Sequence, residues 1–155
     1  LLGAADLDGD GRHELVWRDG RTGAVGAWVM AGFGLSRPVG YGAVPLNWAV
    51  RGLGKVDATA AEGLLWRNAT TGQVAFWKLT TNGQVTPTLL GTADLAWQVQ
   101  ANAYLDGPNG PPEILWANTT SGQLGVWRVD GATVRPAVLG IPSPGWTVQP
   151  TPQLR

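Results

Sequence analysis

Apolar and polar residues alternate in short runs, and the runs return at a fixed interval. Glu14-Leu15-Val16-Trp17, Gly63-Leu64-Leu65-Trp66 and Glu113-Ile114-Leu115-Trp116 are three versions of one stretch. Each leads into a polar turn, at 18–23, 67–72 and 117–122. A second tryptophan follows (Trp28, Trp77, Trp127) and a third closes the unit (Trp48, Trp97, Trp146), equivalent tryptophans lying 49 or 50 residues apart. Period-two alternation in short runs bounded by turn residues predicts strands. Self-similarity at such an interval predicts a repeat architecture.

In the first unit the predicted strands cover 14–18, with Leu15 and Trp17 on one face, 24–30 with Trp28, and a more irregular 36–41. The second unit offers 64–67, 73–79 and 85–90, the third 114–116, 123–129 and 134–139. A further strand starts at each closing tryptophan, so every unit offers four. Four-stranded antiparallel units of this length predict an all-β fold, a β-propeller with three blades per chain. The chain reads as one repeat domain over 1–155, with units 1–47, 48–96 and 97–145 and a closing strand and tail at 146–155. Twenty-three glycines and eleven prolines, spread throughout, argue against helices.

Three blades are fewer than the roughly four to eight that close a ring. Two copies would supply six. Leu1 aligns with Val50, so the first unit lacks the Trp-x-Val start of the others, and Trp146-Thr147-Val148 carries that start at the far end. The expectation is a homodimer in which this strand of one chain completes the first blade of another, by twofold closure. Such pairing would also cover an edge prone to aggregation. Pro150 and Pro152 would lift the tail off the sheet. Higher homo-oligomers, including filaments by repeated strand exchange, are the alternative, as is a longer array in which the same strand leads into a fourth blade.

Eleven basic and eleven acidic residues cancel, which speaks against a nucleic-acid partner. Charged residues make up 14% of the chain, below the usual quarter or so. That suits a surface that meets partners or copies of itself, and equally one covered by Gly, Thr, Asn and Gln. With no cysteine there is no disulfide, and compartment is not readable from redox chemistry. No apolar run is long enough to cross a bilayer. A chain opening on Leu1 rather than Met is expected to be a processed product or an excised piece. The tryptophans suit seams between sheets, where a flat side chain buries much area, and they also suit a sugar-binding groove.

One stretch carries metal chemistry. Asp6, Asp8, Asp10 and Glu14 place carboxylates at alternate positions 1, 3, 5 and 9 of a short loop. Calcium takes six to eight hard oxygen ligands, and a tight loop supplies them from alternate residues plus a backbone carbonyl. The expected ligands are the carboxylates of Asp6, Asp8, Asp10 and Glu14 and the carbonyl of Arg12, with Gly9 and Gly11 letting the chain curl. The same loop is eroded in the other units: Lys55 stands first and Thr59 third in the second, Tyr104 first in the third beside an inserted Pro108. One structural calcium ion per chain is therefore expected. Enzyme action is not, because His13 reads as a solvated bystander and no nucleophile elbow, cysteine or phosphate loop is present. Asn68-Ala69-Thr70 and Asn118-Thr119-Thr120 match a glycosylation acceptor pattern, but both fall where turn chemistry already calls for Asn and Thr.

The run Asp6-Leu7-Asp8-Gly9-Asp10-Gly11, leading into Leu15-Val16-Trp17-Arg18, a turn and Trp28, resembles the FG-GAP or VCBS repeat of integrin-like bacterial propellers. The resemblance covers essentially the whole chain, with only the first loop intact. It implies a secreted or surface-attached bacterial propeller, calcium in a structural role, and work in adhesion, carbohydrate binding or the company of enzymes. The resulting expectation is a non-catalytic extracellular calcium-binding module for glycans or surface proteins. The alternatives are a self-assembling structural protein and a fragment of a larger propeller attached to a secreted enzyme.

Overall fold

Leu15, Val16 and Trp17 point alternately to the two sides of a strand, and every unit repeats this. The computed structural model describes residues 1–58, 62–107 and 109–146, among which twelve strands form and no helix does. They pair into three four-stranded antiparallel sheets, each in chain order. Sheet 1 holds β1 (Gly3–Ala5), β2 (Glu14–Arg18), β3 (Ala24–Ala31) and β4 (Gly34–Ala43). Sheet 2 holds β5 (Trp48–Gly54), β6 (Gly63–Asn68), β7 (Gln73–Leu79) and β8 (Val85–Thr92). Sheet 3 holds β9 (Trp97–Ala103), β10 (Glu113–Asn118), β11 (Leu124–Asp130) and β12 (Thr133–Gly140).

The first sheet differs from the others at its opening strand. β5 pairs along β6 from Trp48↔Asn68 to Gly54↔Gly63, whereas β1 reaches only Gly3↔Val16, Ala4↔Leu15 and Ala5↔Glu14. Trp146 is 76% exposed. The rest of the expected closing strand, together with Thr59 and Pro108, lies outside the described residues.

The turn after the second strand is built identically three times. Asp19 Oδ1 accepts the N–H groups of Arg21 and Thr22, Asn68 Oδ1 those of Thr70 and Thr71, and Asn118 Oδ1 those of Thr120 and Ser121. Asn68 is 4% exposed, so its side chain serves the turn. Gly23 and Gly72 end these turns at φ 74° and 73°. An added Cβ would meet the carbonyls of Val44 and Ala93 at 2.0 and 2.3 Å, which leaves only glycine there.

Each sheet carries a tilted tryptophan pair on one face: Trp17–Trp28, Trp66–Trp77 and Trp116–Trp127, with ring centroids 5.1, 5.3 and 4.8 Å apart. The residue opposite the first tryptophan is always small (Gly26, Ala75, Gly125), which makes room for the indole to lie across the sheet. Leu64 and Trp66 pack against Ala5, Leu7, Val16 and Ala27 of sheet 1. Leu65, Val74 and Phe76 pack against Ile114, Trp116 and Val129 of sheet 3. Sheet 2 is thus covered on both sides, and all six residues of β6 are buried. A guanidinium crosses each seam, Arg18 over Trp66 at 5.0 Å and Arg67 over Trp116 at 5.3 Å. Pro38, Pro87 and Pro136 fall in β4, β8 and β12, the last strand of each sheet, where a missing N–H is tolerated.

Tyr41, 7% exposed, ties sheet 1 to sheet 2 by donating its hydroxyl to the Thr80 carbonyl at 3.0 Å. Burial, with the Glu14 charge adding to it and Arg37 opposing, pushes its pKa up to about 12. The unfolded chain releases this proton near pH 10, so the unfolded state binds fewer protons between the two values. Stability conferred by the neutral phenol is therefore complete below about pH 10 and lost as pH rises towards 12. Urea unfolding on either side of this window should show a steep alkaline loss for the wild type and a flatter one for Tyr41→Phe. Equal slopes would place the alkaline loss elsewhere.

Candidate metal centre and seam clefts

The turn between β1 and β2 is held by its own carboxylates. Asp6 accepts the N–H groups of Gly9 (2.7 Å), Asp10 (3.1 Å) and Gly11 (2.9 Å). Glu14 is buried and accepts the Leu7 N–H at 3.0 Å, while Leu7 itself sits in the core. Asp8 accepts the Thr81 hydroxyl at 2.9 Å, and the Asp6 N–H donates to Glu62 at 2.8 Å, so the loop is tied to sheet 2 at two points. Oxygens of Asp6, Asp8 and Glu14 lie within 4.8 Å of one another, a group that can hold a metal ion. Asp10 is outside this trio; its carboxylate accepts the Arg12 N–H at 2.7 Å. His13 is exposed.

Burial alone would raise the Asp6 carboxyl, but the N–H groups of Gly11, Gly9 and Asp10 together outweigh it and hold its pKa below the ordinary value. Glu14 goes the other way. Burial raises it, the Leu7 N–H opposes, and the charges of Asp8, Asp10 and Asp6 raise it further. A cation among these groups would remove that repulsion.

The equivalent loops of the other two sheets bring a basic side chain to their acids. In sheet 3 the Leu105 N–H reaches Glu113 at 3.1 Å, as Leu7 reaches Glu14. There Arg128 donates to Glu113 at 2.8 Å and also to Asp106, the counterpart of Asp8. In sheet 2, Lys78 lies 3.8 Å from Asp57. Lys78 and Arg128 occupy the repeat position that Val29 holds in sheet 1. Among the described residues no ion pair reaches Asp6, Asp8 or Glu14. Three convergent carboxylates without an internal cation fit a hard, oxygen-seeking metal ion. A reading of the loops alone misses these basic partners, because they arrive from a neighbouring strand; Val29, Lys78 and Arg128, aligned in the repeat, carry the signal.

A second feature recurs in both seams. Between sheets 2 and 3 a cleft of about 410 Å³ is lined by Trp97, Trp116 and Trp127, with Thr92 and Asp94 at hand. Between sheets 1 and 2 a smaller cleft of about 240 Å³ is lined by Trp48, Trp66 and Trp77, with Pro45 in the place of Asp94. Among the described residues the buried indole N–H groups of Trp17, Trp66 and Trp116 have no hydrogen-bond partner. The larger cleft owes room to Gly125, where sheet 2 has Ala75; an added Cβ would stand 3.2 Å from the Trp97 ring. No protein-family model, no curated protein and no solved structure matches the chain, so the chemistry of its site rests on these residues alone.

Proposed function

We propose that the chain is a set of three propeller blades, braced by one calcium ion at the Asp6–Glu14 loop, that serves outside the cell as a non-catalytic binding module for glycans. The first strands of successive sheets lie side by side, β1 by β5 and β5 by β9, as blades around a common axis would. Calcium supplies charge neutralisation at the three carboxylates. The loop's own contacts to Thr81 and Glu62 then carry that rigidity into sheet 2.

The observation that carries the binding reading is the tryptophan-lined cleft repeated at one position in both seams. A pyranose offers an apolar C–H face for an indole and hydroxyls for a few polar groups, and a mostly apolar cleft with a small number of polar atoms fits that chemistry. In the larger cleft Asp94 and Thr92 supply those atoms. Titration of tryptophan fluorescence with sugars drawn from a glycan array should show saturable binding. Trp127→Ala and Gly125→Ala should each weaken it about tenfold or more, equivalent to about 1.4 kcal/mol. An array on which nothing binds would overturn the reading.

A further inference from the structure

The two ends of the stack are the two halves of a seam. Leu7 and Val56 are each 1% exposed because the next sheet covers them, whereas their counterpart Leu105 is 54% exposed. Tyr41 and Leu90 are 7% and 6% exposed, and their counterpart Leu139 is 54% exposed. At the other end Trp28 is 42% exposed, while Trp77 and Trp127, at the same repeat position, are half-buried within seams. Each series stays apolar apart from the Tyr41 hydroxyl, and at the ends no neighbouring sheet covers it.

We infer that a second copy of this chain covers both ends, head to tail: the Leu105–Leu139 face of each protomer seats on the Trp17–Trp28 face of its partner, closing a ring of six sheets. The two internal seams are built from the repeat counterparts of these faces, since sheet 1 meets sheet 2, and sheet 2 meets sheet 3, through the same repeat positions. A contact repeated with constant geometry closes when the rotation permits. Six is the smallest multiple of three within the roughly four to eight blades that close. The inference does not depend on the glycan reading.

The seam between copies lacks polar ties that the internal ones have: Leu139 stands where Tyr41 donates across the first seam. Ala117 stands where Arg18 and Arg67 stand, so no guanidinium crosses from sheet 3 onto the partner. The assembly is accordingly held by apolar contact and is more readily reversible than the internal seams. Installing the missing group, Ala117→Arg, should tighten it.

Sedimentation equilibrium of the 155-residue chain should give twice 16.3 kDa at tens of micromolar protein, by about the affinity range expected of a reversible pair. Ala117→Arg should lower the dissociation constant about tenfold. Trp28→Glu and Leu139→Glu, on opposite ends, should each leave a monomer with unchanged far-ultraviolet circular dichroism. A wild type and an Ala117→Arg variant both at 16.3 kDa would overturn the inference. So would a mass that grows without limit, or dissociation by only one of the two face variants, which would mark a face-to-face pair.

Discussion

Replacing Arg67 with alanine is expected to lower the free energy of unfolding by about 3–5 kcal/mol. Arg67 is 3% exposed, and its guanidinium donates to the carbonyls of Gly72 (2.5 Å), Ala93 (3.0 Å), Asp94 (2.8 Å) and Trp97 (3.2 Å). Its loss strands the buried Gly72 carbonyl, at about 1–3 kcal/mol, leaves three part-buried carbonyls without this donor, and uncovers the Trp116 ring. Lysine should recover only part of the loss, because an ammonium cannot reach several carbonyls in one plane as the guanidinium fork does. Arg18 makes three such bonds, to Trp48, Val44 and Pro45, from a half-buried position. Arg18→Ala should therefore cost less, about 1–3 kcal/mol. Urea unfolding checks the order: an Arg67→Ala protein no less stable than Arg18→Ala would mean that the buried clamp does not hold the seam.

Strand positions were legible because tryptophans and aliphatics alternate with small and polar residues in every unit. The pattern predicts the irregular outer strand over 36–41, whereas it extends over Gly34–Ala43, its ends unmarked because most of it faces solvent. β1 carries no tryptophan signal, yet it pairs with β2 through Gly3, Ala4 and Ala5. Along the chain Arg18 and Arg67 look like ordinary strand ends; their role emerges only when the turn and the following loop fold their carbonyls into one place. Tryptophan exposure was not legible either, since Trp28 and Trp77 hold the same repeat position and differ only in what lies against them. The acidic loop was legible as a ligand set, and the structure gathers three of its four carboxylates.

Calcium should stabilise the folded chain by mass action, by about 2.7 kcal/mol at a free concentration one hundred times the dissociation constant. For a chain of this length that corresponds to roughly 5–10 °C in the thermal midpoint. Asp6→Asn should abolish the effect, because Asp6 both joins the carboxylate trio and receives the N–H groups that shape the loop. The decisive variant is Val29→Arg. It places a guanidinium where Arg128 neutralises Asp106 and Glu113 in sheet 3. This variant should keep its thermal midpoint when calcium is chelated and gain nothing when calcium is restored. A chelator-induced drop in the variant as large as in the wild type would show that charge neutralisation in this loop is not what the ion provides.

That one loop among three equivalent sheets has exchanged an internal cation for a metal ion is tested most directly by calorimetric titration of calcium into chelator-stripped protein. The expected result is one ion per chain, lost in Asp6→Asn and in Val29→Arg. No ion bound at millimolar calcium, or three ions per chain, would contradict it.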